Sequence, residues 1–163
     1  MRAAEEVRRS GACPMESNEE VKRAFTVVKE AYPQLKVSET EIGSTIFAVK
    51  PGDGSAREQA ASCQRVLGGL ANIANEYATK RYRSNLINWG LIPFIIDEGE
   101  LPFRNGDFIF ILGAATAIRD KASEVKAYVV KDKLVEFTLK IGELTDDERQ
   151  IILDGCLINY YRH

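Results

Sequence analysis

A strand that runs straight through a glycine turn into a helix constrains this chain more than any other feature. The run Ser44–Lys50, STIFAVK, is β-branched, aromatic and mostly apolar, and predicts a strand buried on both faces. Pro51-Gly52-Asp53-Gly54 then breaks it, and a helix is expected from about Ser55 to Leu67, closed by Gly68 and Gly69. A strand and a helix joined so closely must pack as two layers around one core. The pattern continues downstream. LANIANE (70–76) reads as a strand, and YATKRYRSNLINWG (77–90) as a helix ending at Gly90. LIPFII (91–96) and DFIFIL (107–112) read as apolar strands around a polar turn, and AATAIRDK (114–121) fits a helical turn. EVKAYVV and LVEFTLKIG, separated by Lys131, Asp132 and Lys133, read as a β-hairpin. The alternation followed by a hairpin predicts an α/β fold with a mixed sheet and flanking helices.

Both ends add helices. SNEEVKRAFTVVKEAY carries Ser17 with Glu20 three residues on, a capping-box pattern, and an apolar stripe of Val21, Phe25, Val28 and Tyr32 that Pro33 stops. LKVSE (35–39) is expected as a short strand. Upstream, residues 1–16 mix charge with Gly11 and Pro14 and are expected to be a flexible segment, leaving 17–163 as one domain. At the other end Thr145 and Glu148 form a second capping box, which predicts one closing helix over the last residues.

A length of 163 residues supplies one domain with a real core. The net charge of −2 gives no bulk reason to expect nucleic acid or an anionic membrane as partner. No apolar run approaches the ~20 residues that span a bilayer, and the start MRAAEEVRRSG lacks a signal-peptide core. No membrane partner is therefore expected, and the cytoplasm is the expected compartment. Cys13, Cys63 and Cys156 are odd in number and widely spaced, which argues against a disulfide framework, a zinc ribbon and a complete iron–sulfur site built from this chain alone. The single histidine is the last residue, His163, so a His-based triad and a His-rich metal site are excluded. No metal ligand is assigned. Chemistry must rest on Ser, Asp, Glu, Arg, Lys or Tyr, or on groups supplied from outside.

Strand, turn and helix together place Ser55 at or near a helix N-terminus, where unpaired backbone N–H groups carry partial positive charge. Such a terminus binds carboxylate or phosphate, and the planar fork of Arg57 matches a carboxylate bidentately. The same field stabilises negative charge on the serine oxygen, which otherwise is a poor base near neutral pH. The plainer alternative stays open at this point: Ser55 as an ordinary N-cap and Arg57 as a solvent-facing residue of the first turn. A Walker loop fails, because Ser55 stands where its lysine belongs, and the dinucleotide fingerprint fails at Arg57 for want of a third glycine.

GDGSAREQAA (52–61) followed by LGG at Leu67–Gly69 resembles the active-site loop of the small swivelling domain of the aconitase family, whose pattern is roughly G-x-G-S-S-R-E-H-A. RSNLINWGLIPF, Arg83–Phe94, resembles that domain's next motif, R-S-N-L-x-x-x-G-x-L-P. The two come in the family's order and at a similar separation, the closing helix is similar too, and the resemblance runs from about Thr45 to the C-terminus. It implies a β/β/α-type swivelling domain of a hydro-lyase that dehydrates and rehydrates a hydroxy di- or tricarboxylic acid. Ser55 stands where the family has the serine that, as an alkoxide, removes and returns the substrate proton. Arg57 stands where an arginine grips a substrate carboxylate, and Ala56 at a further substrate-contacting position. Gly52, Asp53 and Gly54 form the matching turn, and Asn85 is expected to support it. Two departures stand out: Ala56 replaces the second serine of the usual pair, and Gln59 the usual histidine, and both weaken a citrate assignment.

The resemblance also implies a 4Fe–4S cluster acting as Lewis acid, held by cysteines of other domains that none of the three here matches. No cofactor is thus expected in this chain, which should need cluster-bearing partner domains and be inactive alone. The start lacks the D-x-I strand of the family's small subunits, which favours a C-terminal portion of a longer chain. The alternative is a non-catalytic anion-binding or regulatory module that kept the loop. Lys80–Arg83 (KRYR) is the most basic local run, and a solvated or interdomain helix face explains it better than RNA. Trp89 and Phe94 are expected in core or interface, Cys63 as a buried small hydrophobe, and Asp97, Glu98 and Glu100 in a solvated turn.

Overall fold

The computed structural model describes residues 2–16 and 18–162. Its strands are β1 (Ser44–Ala48), β2 (Gly69–Ala74), β3 (Ile92–Ile95), β4 (Phe108–Ile111), β5 (Glu124–Val130) and β6 (Leu134–Ile141). Its helices are α1 (Arg2–Arg9), α2 (Glu19–Ala31), α3 (Arg57–Val66), α4 (Lys80–Asn88), α5 (Ala114–Arg119), α6 (Asp146–Leu153) and α7 (Leu157–Tyr160). The strands hydrogen-bond in the order β1-β2-β3-β6-β5-β4, giving the mixed sheet with flanking helices that the pattern predicts. The described residues fall into two compact units: 2–43 with 100–112 and 126–137, and 44–99 with 113–125 and 138–162.

The first unit is built on Ala4, Val21, Phe25 and Ile42, with Met15, Leu35, Val37 and Phe108 against them. Residues 2–16 form a helix followed by a 3-10 turn, Pro14–Glu16. The reason lies in two side chains of α1. Ala4 is buried in this cluster. Glu5 accepts hydrogen bonds from Ile42 N at 2.9 Å and from Arg8 at 2.7 and 2.6 Å, so its buried carboxylate is satisfied. The cap of α2 is Asn18, whose Oδ1 accepts from Val21 N at 3.0 Å, and the predicted cap Ser17 lies outside the described residues. LKVSE forms no strand. Glu39 N donates to Lys36 O at 3.1 Å, and Val37–Glu39 closes as a 3-10 turn. Within this unit β4 pairs antiparallel with β5, from Phe108 opposite Val130 to Ile111 opposite Ala127.

The second unit carries the opening β1–α3–β2–α4–β3 run. The three strands are parallel, with Phe47 opposite Ile73 and Ile73 opposite Phe94, and the end of β6 joins antiparallel at Phe94 opposite Ile141. Each crossover is a single helix, and α3 and α4 pack on one another with Ala61, Tyr82, Leu86 and Leu91 buried between the layers. β1 is not buried on both faces as predicted. It lies first in the strand order, and Ile46 is 42 % exposed. The closing helix is two helices. Gly155, at φ 87°, ends α6 in the left-handed region and α7 restarts after Cys156. That glycine meets Gly90 so closely that a Cβ on Gly90 would overlap the Gly155 carbonyl.

Candidate active site

The carboxyl ends of β1, β2 and β3 open into three loops that are tied together. Glu76 N donates to Val49 O at 3.0 Å and Ala78 N to Pro51 O at 2.9 Å, joining the β1 and β2 loops. Asn75 Nδ2 donates to Ile96 O at 3.0 Å and to Asp97 O at 3.2 Å, joining the β2 and β3 loops. Ligands of parallel sheets bind at this end of the strands, and Ser55 stands there, exposed.

Each residue of the loop is held differently. Gly52 is at φ +98°, and a Cβ on it would stand 2.5 Å from Tyr82 Cβ, so both backbone and space demand glycine. Its carbonyl accepts from Thr79 Oγ1 at 3.2 Å and from Arg57 Nε at 2.9 Å. Gly54 has no such need: its φ is not left-handed and nothing lies within 4 Å of a Cβ there. Asp53 is exposed and offers its carbonyl to Arg57 Nη2 at 3.4 Å. The guanidinium therefore lies along its own loop by the Nε–Nη2 edge. The Nη1–Nη2 edge is the second fork a guanidinium presents to a carboxylate.

Ser55 is not the cap of α3. Ala56 holds that position, with φ −84° and ψ 44° and no side-chain hydrogen bond. The terminus is served from α4 instead. Oriented so that oxygen and nitrogen face complementary partners, the Asn85 amide accepts from Glu58 N at 3.1 Å and donates to Glu58 Oε2 at 3.2 Å. Trp89 Nε1 donates to the other carboxylate oxygen, Glu58 Oε1, at 2.6 Å. Asn85 thus reaches the first turn of α3, one step past the Ser55–Arg57 segment. Beneath lies Tyr82, 2 % exposed, whose hydroxyl accepts from Gln64 Nε2 at 3.1 Å and Asn72 Nδ2 at 3.0 Å. Burial pushes the Tyr77 hydroxyl well above the usual tyrosine range, and it donates to Phe94 O at 3.0 Å, so it stays neutral. Sequence reasoning missed Glu58, Thr79 and Tyr82. Two of them left a signal: Glu58 matches the E of the loop pattern, and Thr79 is a cap residue ahead of the α4 run, whose Oγ1 accepts from Tyr82 N at 3.2 Å.

The family described as Aconitase C-terminal domain matches residues 11–99, a span that holds every element of this site. The chain belongs to that family. The match starts before Thr45, where the motif resemblance began, and takes in α2. Among curated relatives, the chain is 33 % identical over 135 residues to the methanogen homoaconitase small subunit of Methanocaldococcus jannaschii, covering 83 % of this chain and 69 % of that protein. It is 30 % identical over 112 residues to aconitate hydratase A of Streptomyces viridochromogenes, 67 % of this chain and 12 % of that protein. The described residues do not supply a ligand set for an iron–sulfur cluster. Among the described residues no three His, Cys, Asp or Glu side chains gather to hold a metal ion. Cys63, expected in the core, is exposed on α3 because its face of the helix turns away from β2, while Ala61 on the opposite side is fully buried. No helix among the described residues is long and apolar enough to cross a membrane.

Proposed function

We propose that this chain supplies the proton-transferring and carboxylate-binding half of the active site of a hydro-lyase acting on a hydroxylated di- or tricarboxylic acid. The observation that carries the reading is the posture of Arg57. Its guanidinium is fixed by one edge to the Gly52 and Asp53 carbonyls, beside exposed Ser55 and an N-terminus that no local side chain caps. A carboxylate docked on the free fork of Arg57 brings the carbon next to it toward Ser55, within the positive field of α3. Ser55 Oγ, as the alkoxide, takes the proton from that carbon. The C–H electron pair becomes the carbon–carbon double bond, and the hydroxyl on the neighbouring carbon leaves with its own pair as hydroxide, which becomes water by taking a proton from an acid that the partner would supply. Addition of water retraces the path, with Ser55 returning the proton.

Among the described residues no set of metal-ligating side chains gathers to receive the departing hydroxyl, and on this reading a partner receives it. The relative named a small subunit and the long aconitate hydratase both support a cluster-bearing partner, as a separate subunit or as further domains of one chain. On this reading the chain alone is inactive. The test is to purify it with that partner and assay hydroxy di- and tricarboxylic acids for conversion to the unsaturated acid. Turnover of one of them is expected. Tight anion binding to an intact complex that turns over none would mark a binding module instead.

A further inference from the structure

Resting on that reading, we infer that Glu58, pinned by Trp89 and Asn85, is a positioning residue for Ser55. Glu58 is the second residue of α3, next to Arg57 and three after Ser55. A carboxylate so close to an anion site would repel the substrate if it faced the loop. It does not face it. Trp89 Nε1 holds Oε1 at 2.6 Å, Asn85 Nδ2 holds Oε2 at 3.2 Å, and Asn85 Oδ1 takes Glu58 N at 3.1 Å. Side chain and backbone of one residue are thus clamped to two residues one turn apart on α4. Trp89 also packs on the Ala61, Tyr82, Leu86 and Leu91 cluster, so the clamp stands on the core rather than on the mobile tip of a side chain. Arg57 has its own anchor in the loop carbonyls. Loosening Glu58 should therefore shift the first turn of α3 and the field on the Ser55 oxygen, and leave the carboxylate grip nearly intact.

The experiment compares Glu58→Ala, Glu58→Gln, Trp89→Phe and Ser55→Ala in the complex with the cluster-bearing partner, reading kcat and KM separately. Glu58→Ala should lower kcat by about tenfold or more with KM within about twofold, since a small misplacement of a reacting group is costly. Glu58→Gln keeps an oxygen for the indole but sets an NH2 against the donor Asn85 Nδ2, so it should recover part of the kcat loss and remain below wild type, a partial rescue that a merely structural residue would not show in kcat alone. Trp89→Phe should lower kcat in the same sense, and combined with Glu58→Ala it should add nothing further, because both remove one contact. A kcat for Glu58→Ala within twofold of wild type overturns the inference, and so does a loss that appears in KM. If Glu58→Ala does not fold, Trp89→Phe decides alone: unchanged kcat overturns it. Ser55→Ala separates the two claims. If Ser55→Ala turns over at close to the wild-type rate, the proposed function fails. If Ser55→Ala is dead while the Glu58 and Trp89 variants are unimpaired, only the positioning role fails.

Discussion

Replacing Gly52 by alanine tests how the loop is built. Two penalties meet at this position. At φ +98° an L-residue is strained, at ~1–3 kcal/mol. The added methyl would also stand 2.5 Å from Tyr82 Cβ, and Tyr82 is 2 % exposed and cannot withdraw without opening the core. Overpacking of this kind costs another ~1–3 kcal/mol. The sum, roughly 2–6 kcal/mol, converts to a fall in Tm of roughly 4–24 °C for a domain of this size. Gly54→Ala is the matched control. Two residues away, it has an ordinary φ and open space around a Cβ, so it should change stability by no more than ~0.5 kcal/mol. Thermal unfolding by circular dichroism reads both. If Gly52→Ala melts with wild type, or if Gly54→Ala falls as far, the argument from Tyr82 is wrong.

Three further outcomes follow from the same geometry. Arg57→Lys should raise KM and lower kcat together in steady-state kinetics, because a point charge replaces both the loop-facing edge and the carboxylate fork, at ~1–3 kcal/mol. Tyr82→Phe removes the acceptor that Gln64 Nε2 and Asn72 Nδ2 share, in a site where Gln64 Oε1 and Asn72 Oδ1 already lack partners among the described residues, and denaturant unfolding should show a loss of ~1–3 kcal/mol. Burial raises the Glu5 pKa, but the hydrogen bonds from Arg8, Ile42 N and Arg9 outweigh it, and the carboxyl ends below its ordinary value of 4.5. Its stabilising share is therefore present above that ordinary value and lost as pH falls through the depressed one. Hydrogen exchange at Ile42 N should accelerate over that acid range, and Glu5→Gln should remove the dependence.

Local rules were legible where a single residue type decides the geometry. The Thr145–Glu148 box forms as read, with Glu148 N on Thr145 Oγ1 at 3.2 Å and Thr145 N on Glu148 Oε2 at 2.9 Å. The strand–turn–helix unit and Gly52 were legible for the same reason. What depended on neighbours distant in sequence was not. STIFAVK has the composition of a central strand, and only the strand order makes β1 an edge. The α3 terminus looked locally capped by Ser55, yet its hydrogen bond comes from Asn85, 27 positions after Glu58 in the chain. Glu58 matches the E of the loop pattern, but its role was not legible because its partners are assembled by helix packing. The tie of Glu5 to Ile42 N was not legible, because its donor is a backbone group that no sequence pattern marks.

The central claim is that Ser55 is a base rather than a helix cap, and Ser55→Ala tests it most directly. In the complex with the proposed partner, this substitution should cut kcat by several orders of magnitude, on the order of 10³ or more, with KM little changed, because the proton transfer is made only in the transition state. The melting temperature should hold within the ~1 kcal/mol that even a true cap is worth, since Ala56 rather than Ser55 occupies the cap position. Wild-type turnover with a lowered melting temperature would contradict the account and make Ser55 structural.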